Sequence, residues 1–115
     1  MNRLASVATA EGVTVAGSCE LADSFGSRFL GLMGRKSLPD GSGMLITRTG
    51  SVHTFFMRIP IDVVYLDSSY RVVRVIPAMK PWRLSMAMRA KSVLELPAGA
   101  AAAAGLGPGS QLTVS

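Results

Sequence analysis

The longest apolar passage of the chain runs from His53 to Asp67, and Pro60 divides it in two. Residues 61–66 are almost continuously apolar, the pattern of a strand covered on both faces. Residues 51–58 read as the preceding strand. Proline donates no ladder hydrogen bond, so Pro60 marks a strand start, an edge or a bulge. A turn over residues 67–70 returns the chain as a hairpin partner over residues 71–76. Upstream, Val13, Val15, Gly17, Cys19 and Leu21 alternate with polar positions, which predicts a half-buried strand over residues 12–21. The period then changes. Phe25, Phe29, Leu32 and Met33 line one side of a mid-length helix over about 23–33, with Asp23 or Ser24 to cap its start and Gly34 to close its end. Short strands are predicted over residues 44–47, 92–96 and 111–114, and a short Ala-rich helix over about 99–105. Residues 77–91 show no clean period. This long loop carries Trp82, Met79, Met86 and Met88 among basic residues. Such a loop is either a binding surface or a flap that packs Trp82 and Met86 over one barrel end.

Six or seven short strands, spaced for hairpins and without regular helical crossovers, argue against a doubly wound parallel sheet. The expected fold is mainly β (α+β): a small, mostly antiparallel β-barrel or strongly curled sheet, since closure removes exposed edges. Residues 1–11 read as a ragged N-terminus and residues 12–115 as a single domain. The first ten residues faintly imitate a secretory signal, but their apolar part is short, so a cytoplasmic product is expected. No run approaches the ~20 apolar residues of a transmembrane helix.

Composition narrows the chemistry. Cys19 is the one cysteine of the chain and His53 its one histidine. That excludes an internal disulfide and leaves too few soft ligands for a transition-metal centre; no metal or other cofactor is expected. Cys19 falls in phase with the buried side of its strand and reads as an inert thiol. The net charge of +5 is unevenly placed: Arg71, Arg74, Lys80, Arg83, Arg89 and Lys91 follow Asp67 with no acid before Glu95. Such a block suits an acidic partner, or it is a solvated basic face.

Four ordered motifs carry a resemblance. They are Arg28-Phe29-Leu30-Gly31-Leu32-Met33; Gly43-Met44-Leu45; His53-Thr54-Phe55-Phe56-Met57-Arg58 with Pro60-Ile61-Asp62; and Val93-Leu94-Glu95-Leu96-Pro97-Ala98-Gly99. Together they resemble domain of unknown function 192, a family of short bacterial and archaeal proteins. The resemblance implies a compact β-rich domain with a helix bearing the Gly-Leu-Met segment, and it supplies no catalytic residue, substrate or cofactor. Of the family's two styles, exported and short unexported, the chain resembles the second. It departs at Ser110, where the family often carries an acid after glycine.

His53, Arg58 and Asp62 interrupt the apolar passage, and burying a charge is costly without a partner. Asp62 either locks the Pro60 bend, through backbone N–H groups or Arg58, or joins His53 and Glu95 at a pocket. Glu95 can pair with Arg28 or face solvent. Three functions follow. The favoured one is a non-catalytic binding module for an acidic ligand or protein, at a barrel mouth edged by His53, Arg58, Trp82, Arg83 and Arg89. A hydrolase or lyase would use His53 as base with Asp62 orienting it. Nucleic-acid binding would use the basic face over residues 71–91, although Trp82 is its single aromatic for stacking.

Overall fold

The computed structural model describes residues 3–23 and 38–115. The helix expected over 23–33, with Arg28 on it, lies outside the described residues apart from Asp23. The described residues form nine strands and one short helix: β1 (Arg3–Thr9), β2 (Thr14–Ala22), β3 (Ser42–Thr47), β4 (Ser51–His53), β5 (Ile61–Leu66), β6 (Val72–Met79), β7 (Leu84–Met86), β8 (Ser92–Pro97), α1 (Ala100–Ala103) and β9 (Leu112–Val114).

Seven strands make one sheet in the order β6-β5-β8-β3-β2-β1-β9, and β4 and β7 pair separately as a two-stranded flap. Neighbours in the large sheet are antiparallel except β2 and β3. The sheet curls into a half-barrel. Its edges meet at one corner, where Arg71 bridges Gln111. There the Val72 N–H donates to Ser110 O (2.8 Å) and the Leu112 N–H to Tyr70 O (3.0 Å). The β5–β6 turn is tied by Asp67, whose Oδ1 accepts the N–H groups of Ser69 and Arg71 at 2.8 and 3.0 Å. Those bonds, with the charges of Arg71 and Arg89, hold its carboxyl below the usual carboxylate range.

All six residues of β5 are buried, as the continuous apolar pattern predicts. Val64 and Leu66 face the interior of the curl with Val7, Cys19, Leu94 and Leu112. Ile61, Val63 and Tyr65 face the other way, onto Met44, Ile46, Val93 and the flap residue Val52. A strand between two apolar layers needs no polar side, which is why the alternation disappears from its sequence.

Three expectations need correction. The ragged start fails for Arg3–Thr9, which is a full strand paired to both β2 and β9. Its small, weakly alternating residues hid it, because a strand flanked on both sides needs little propensity of its own. In β2 the strict alternation breaks: Val15, Ala16 and Cys19 are all buried, because the register to β1 shifts between Ala5 and Val7 and again between Val7 and Ala8. A bulge flips which residues face the core. The strand expected over residues 51–58 ends at His53, and residues 55–56 form a turn.

Gly43 shows how closely the strands approach. An added Cβ would stand 3.0 Å from Leu96 Cδ2, 3.1 Å from Glu95 O and 3.3 Å from Ala16 Cβ. A backbone oxygen cannot step aside, so Gly43→Ala is expected to cost about 1–3 kcal/mol. The shift in urea midpoint measures it. Cys19 is fully buried, and burial pushes its thiol up to about 11. A folded-state value above the unfolded one gives stability that is whole below about pH 9 and declines toward pH 11, by up to about 1.4 kcal/mol per pH unit. Urea midpoints at pH 8 and pH 10.5 should therefore fall further in the wild type than in Cys19→Ala.

Candidate functional site

Asp62 is 1% exposed, and its carboxylate is fully committed to backbone. Oδ1 accepts the Ala78 N–H at 2.8 Å, and Oδ2 accepts the N–H groups of Gly99 and Ala101 at 3.0 and 2.9 Å. One side chain thus fastens the end of β6 and caps the first turn of α1, whose own N-cap position, Gly99, has no side chain to do so. Arg58 is exposed and makes no ion pair with Asp62, while elsewhere Arg3 and Asp23 pair at 3.0 Å. Backbone N–H groups compensate Asp62, and the bonds fasten β6 and α1, not the Pro60 bend.

Asp62 and Glu95 do not converge. On β8, Leu96 is the partner of Asp62 and Glu95 that of Val63. Adjacent strand positions face opposite sides, so Glu95, 2% exposed, lies across the sheet on the face of Val63 and Met44. Tyr65 shares that face; burial raises its phenol above the ordinary value, and the nearby Glu95 charge adds to the rise. His53 ends β4 at the flap, where its Nδ1 accepts the Phe55 N–H at 3.2 Å. The carboxylate that would orient a catalytic imidazole is already bound to three backbone amides elsewhere.

What the region does assemble is a clip of two turns. Thr54 is fully buried. Its hydroxyl donates to Lys80 O at 2.7 Å and accepts the Arg83 N–H at 2.8 Å. Its backbone N–H donates to Arg83 O at 2.8 Å, and its O accepts the Trp82 N–H at 2.9 Å. Residues 54–57 and 80–83 are thereby held together. Phe55 and Phe56 meet Trp82 with ring centroids 5.8 and 4.7 Å away, and His53 lies 5.2 Å from Phe55. Phe56 and Trp82 both take positive φ, 63° and 64°. For bulky residues that conformation costs on the order of 1–2 kcal/mol, a kind of strain that collects at working sites.

The loop expected over residues 77–91 contains β7, and its pattern is inverted. Trp82, Leu84, Met86 and Met88 recur at every second position with exposures of 56, 72, 67 and 85%. Ser85 and Ala87, between them, are partly buried. The β7 side of the flap turns its small residues to the core and its large apolar ones outward, with Phe56 beside them at 59%. Arg58, Lys80, Arg83 and Arg89 are exposed as well, and the Arg74 guanidinium donates to Met86 O at 3.0 Å. Of the residues named from sequence, the flap gathers His53, Trp82 and Arg83. It does not gather Asp62; Glu95 lies on the sheet face onto which the flap residue Val52 packs, and Arg28 is outside the described residues. Sequence reasoning missed Thr54, Phe56 and Leu84, and it placed Met88 in the loop without its phase. The period-two spacing of the last two with Trp82 and Met86 was the available signal.

Ser110, where an acid is often found, ties its own loop: its Oγ accepts the Gly107 N–H at 3.1 Å. It also lines a small pocket of about 220 Å³ with Thr9, Glu11, Val13, Ala104, Gly105 and Gln111. Among the described residues no helix is long and apolar enough to cross a membrane, and no three His, Cys, Asp or Glu side chains are grouped to hold a metal.

These features define a mostly antiparallel, curled β-sheet protein with an exposed aromatic and basic flap. The chain belongs to the DUF192 family, described as an uncharacterized ACR, whose model matches residues 6–114. It is 42% identical over 87 residues to a UPF0127 protein of Pyrococcus horikoshii, covering 72% of this chain and 75% of the relative. A UPF0127 protein of Pyrococcus furiosus is 45% identical over 87 residues, covering 68% and 70%. The fold matches a protein of unknown function from Novosphingobium aromaticivorans with a TM-score of 0.83 and 25% identity over 97% of this chain and 84% of the other. It also matches a Sinorhizobium meliloti protein described as a candidate transcription regulator, with a TM-score of 0.84 and 26% identity over 99% and 94%.

Proposed function

We propose that the protein is a non-catalytic interaction module whose flap binds an acidic segment of a partner protein. The inverted stripe from Trp82 to Met88 carries this reading. Leu84 and Met86 on β7, with Trp82 and Met88 in the turns at either end, face solvent while Ser85 and Ala87 are partly buried, and so lose the burial that strand patterning normally secures. Trp, Met and Arg are also the residue types that dominate binding surfaces. The charge of the partner follows from the rim. Lys80, Arg83 and Arg89 flank or interrupt the stripe along the chain, Arg58 is exposed too, and residues 68–94 contain no acid. Hydrolysis or lysis through His53 and Asp62 lacks its pair, since Asp62 holds Ala78, Gly99 and Ala101.

Panning random dodecapeptides against the protein tests the reading. Acidic residues interspersed with bulky apolar ones should be enriched, and binding should weaken with salt and in Arg83→Gln/Arg89→Gln. Equal enrichment on that double variant would overturn the reading. So would capture of phosphatidylglycerol vesicles or single-stranded DNA in preference to every peptide.

A further inference from the structure

The hydrogen-bond parity of the flap leaves a particular edge open. The Ala87 N–H donates to Gly50 O at 3.0 Å and the Thr54 N–H to Arg83 O at 2.8 Å. With the register Ser51↔Met86, Val52↔Ser85 and His53↔Leu84, these bonds fix Val52–Ser85 as the hydrogen-bonded pair between them. Bonded and non-bonded pairs alternate along an antiparallel ladder. The N–H and C=O groups of Leu84 and Met86 therefore point away from β4. Among the described residues no strand pairs with β7 on that side. The Met86 carbonyl is met by Arg74 Nη1 at 3.0 Å.

We infer that the outer edge of β7 accepts an extended acidic segment of a partner protein as a third strand of the flap. The inference rests on the docking reading above and gives it a mode. Main-chain bonds to the N–H and C=O of Leu84 and to the N–H of Met86, whose carbonyl Arg74 already holds, would set the register, and alternate side chains of the segment would extend the apolar stripe. Exposed edges are usually blunted by charge. Arg74 reaches this edge, and Arg83 and Arg89 flank β7 along the chain, charges of one sign that admit acidic strands and repel basic ones. The same charges disfavour a second copy of this chain, whose β7 would bring its own arginines to the contact.

The test uses the full chain, uniformly labelled with 15N, and an acetylated heptapeptide that alternates glutamate and valine. Two further versions are N-methylated on every valine or on every glutamate. At about 20 mM salt the unmodified peptide should bind, and exchange of the Leu84 and Met86 amides should slow at least about tenfold. One methylated version, the one blocking the amides that face β7, should lose at least about tenfold in affinity, and the other should stay within roughly twofold. Binding with unchanged exchange at Leu84 and Met86, and equal affinity of both methylated peptides, would overturn edge pairing while leaving the docking surface in place. No binding of the unmodified peptide would overturn both.

Discussion

Asp62→Ala is expected to lower folding stability by about 3–5 kcal/mol, the largest effect of any single substitution considered. The magnitude follows from what is left behind. Three backbone N–H groups, of Ala78, Gly99 and Ala101, lose their acceptor together. A buried unsatisfied donor such as the Ala101 N–H costs about 1–3 kcal/mol, and the part-buried N–H groups of Ala78 and Gly99 each lose a bond worth about 1 kcal/mol. Asp62→Asn keeps one acceptor oxygen but turns an NH2 toward donors, so it should recover only part of the loss. The local signature separates this from general weakening: amide exchange at Gly99, Ala101 and Ala78 should accelerate more than at Leu94 or Val64 in the core. A loss below about 0.5 kcal/mol in Asp62→Ala would mean that the three amides find other partners.

Thr54→Val ranks second, at about 2–3 kcal/mol. The substitution preserves shape while removing the hydroxyl that joins Lys80 O to the Arg83 N–H. Its consequences should be confined to the flap. Trp82, the single tryptophan of the chain, would report the loosened turn as a red-shifted, more quenchable emission. Thr54→Ser keeps the hydroxyl and should leave the emission unchanged. An emission unaltered by Thr54→Val would show that the aromatic contacts hold the two turns without it.

The sequence shows the sheet more readily than the flap, for physical reasons. The β5–β6 hairpin was legible because a continuous apolar run, a turn with Asp67 and a β-branched return each pointed the same way. β1 was not, since its pairing to β2 and β9 is a tertiary gain that its own residues do not advertise. Asp62 was recognisable as a residue requiring compensation, and one of the two options read for it, backbone N–H groups, is the one found. The identity of those groups was hidden, because Ala78 and Ala101 are 16 and 39 residues away. That Asp62 and Glu95 face opposite sides depends on one unit of register between β5 and β8, which no spacing in a single sequence reveals.

The stripe on β7 misled in a different way. Trp82, Leu84, Met86 and Met88 were in plain sight, but Arg83, Pro81 and Arg89 made the segment look aperiodic. A strand whose large residues face outward contradicts the rule by which strands are found. Such local conflict with the fold is expected where a surface serves a partner and not the core.

The most direct test of this account is a comparison of folding and binding in one variant, Leu84→Glu/Met86→Glu. Both side chains are solvent-exposed, so its urea midpoint should match the wild type to within about 0.5 kcal/mol. In the same preparation, acidic peptides enriched on the wild-type protein should no longer bind. Retention of those peptides by the stably folded variant would contradict the assignment of the flap as the binding surface.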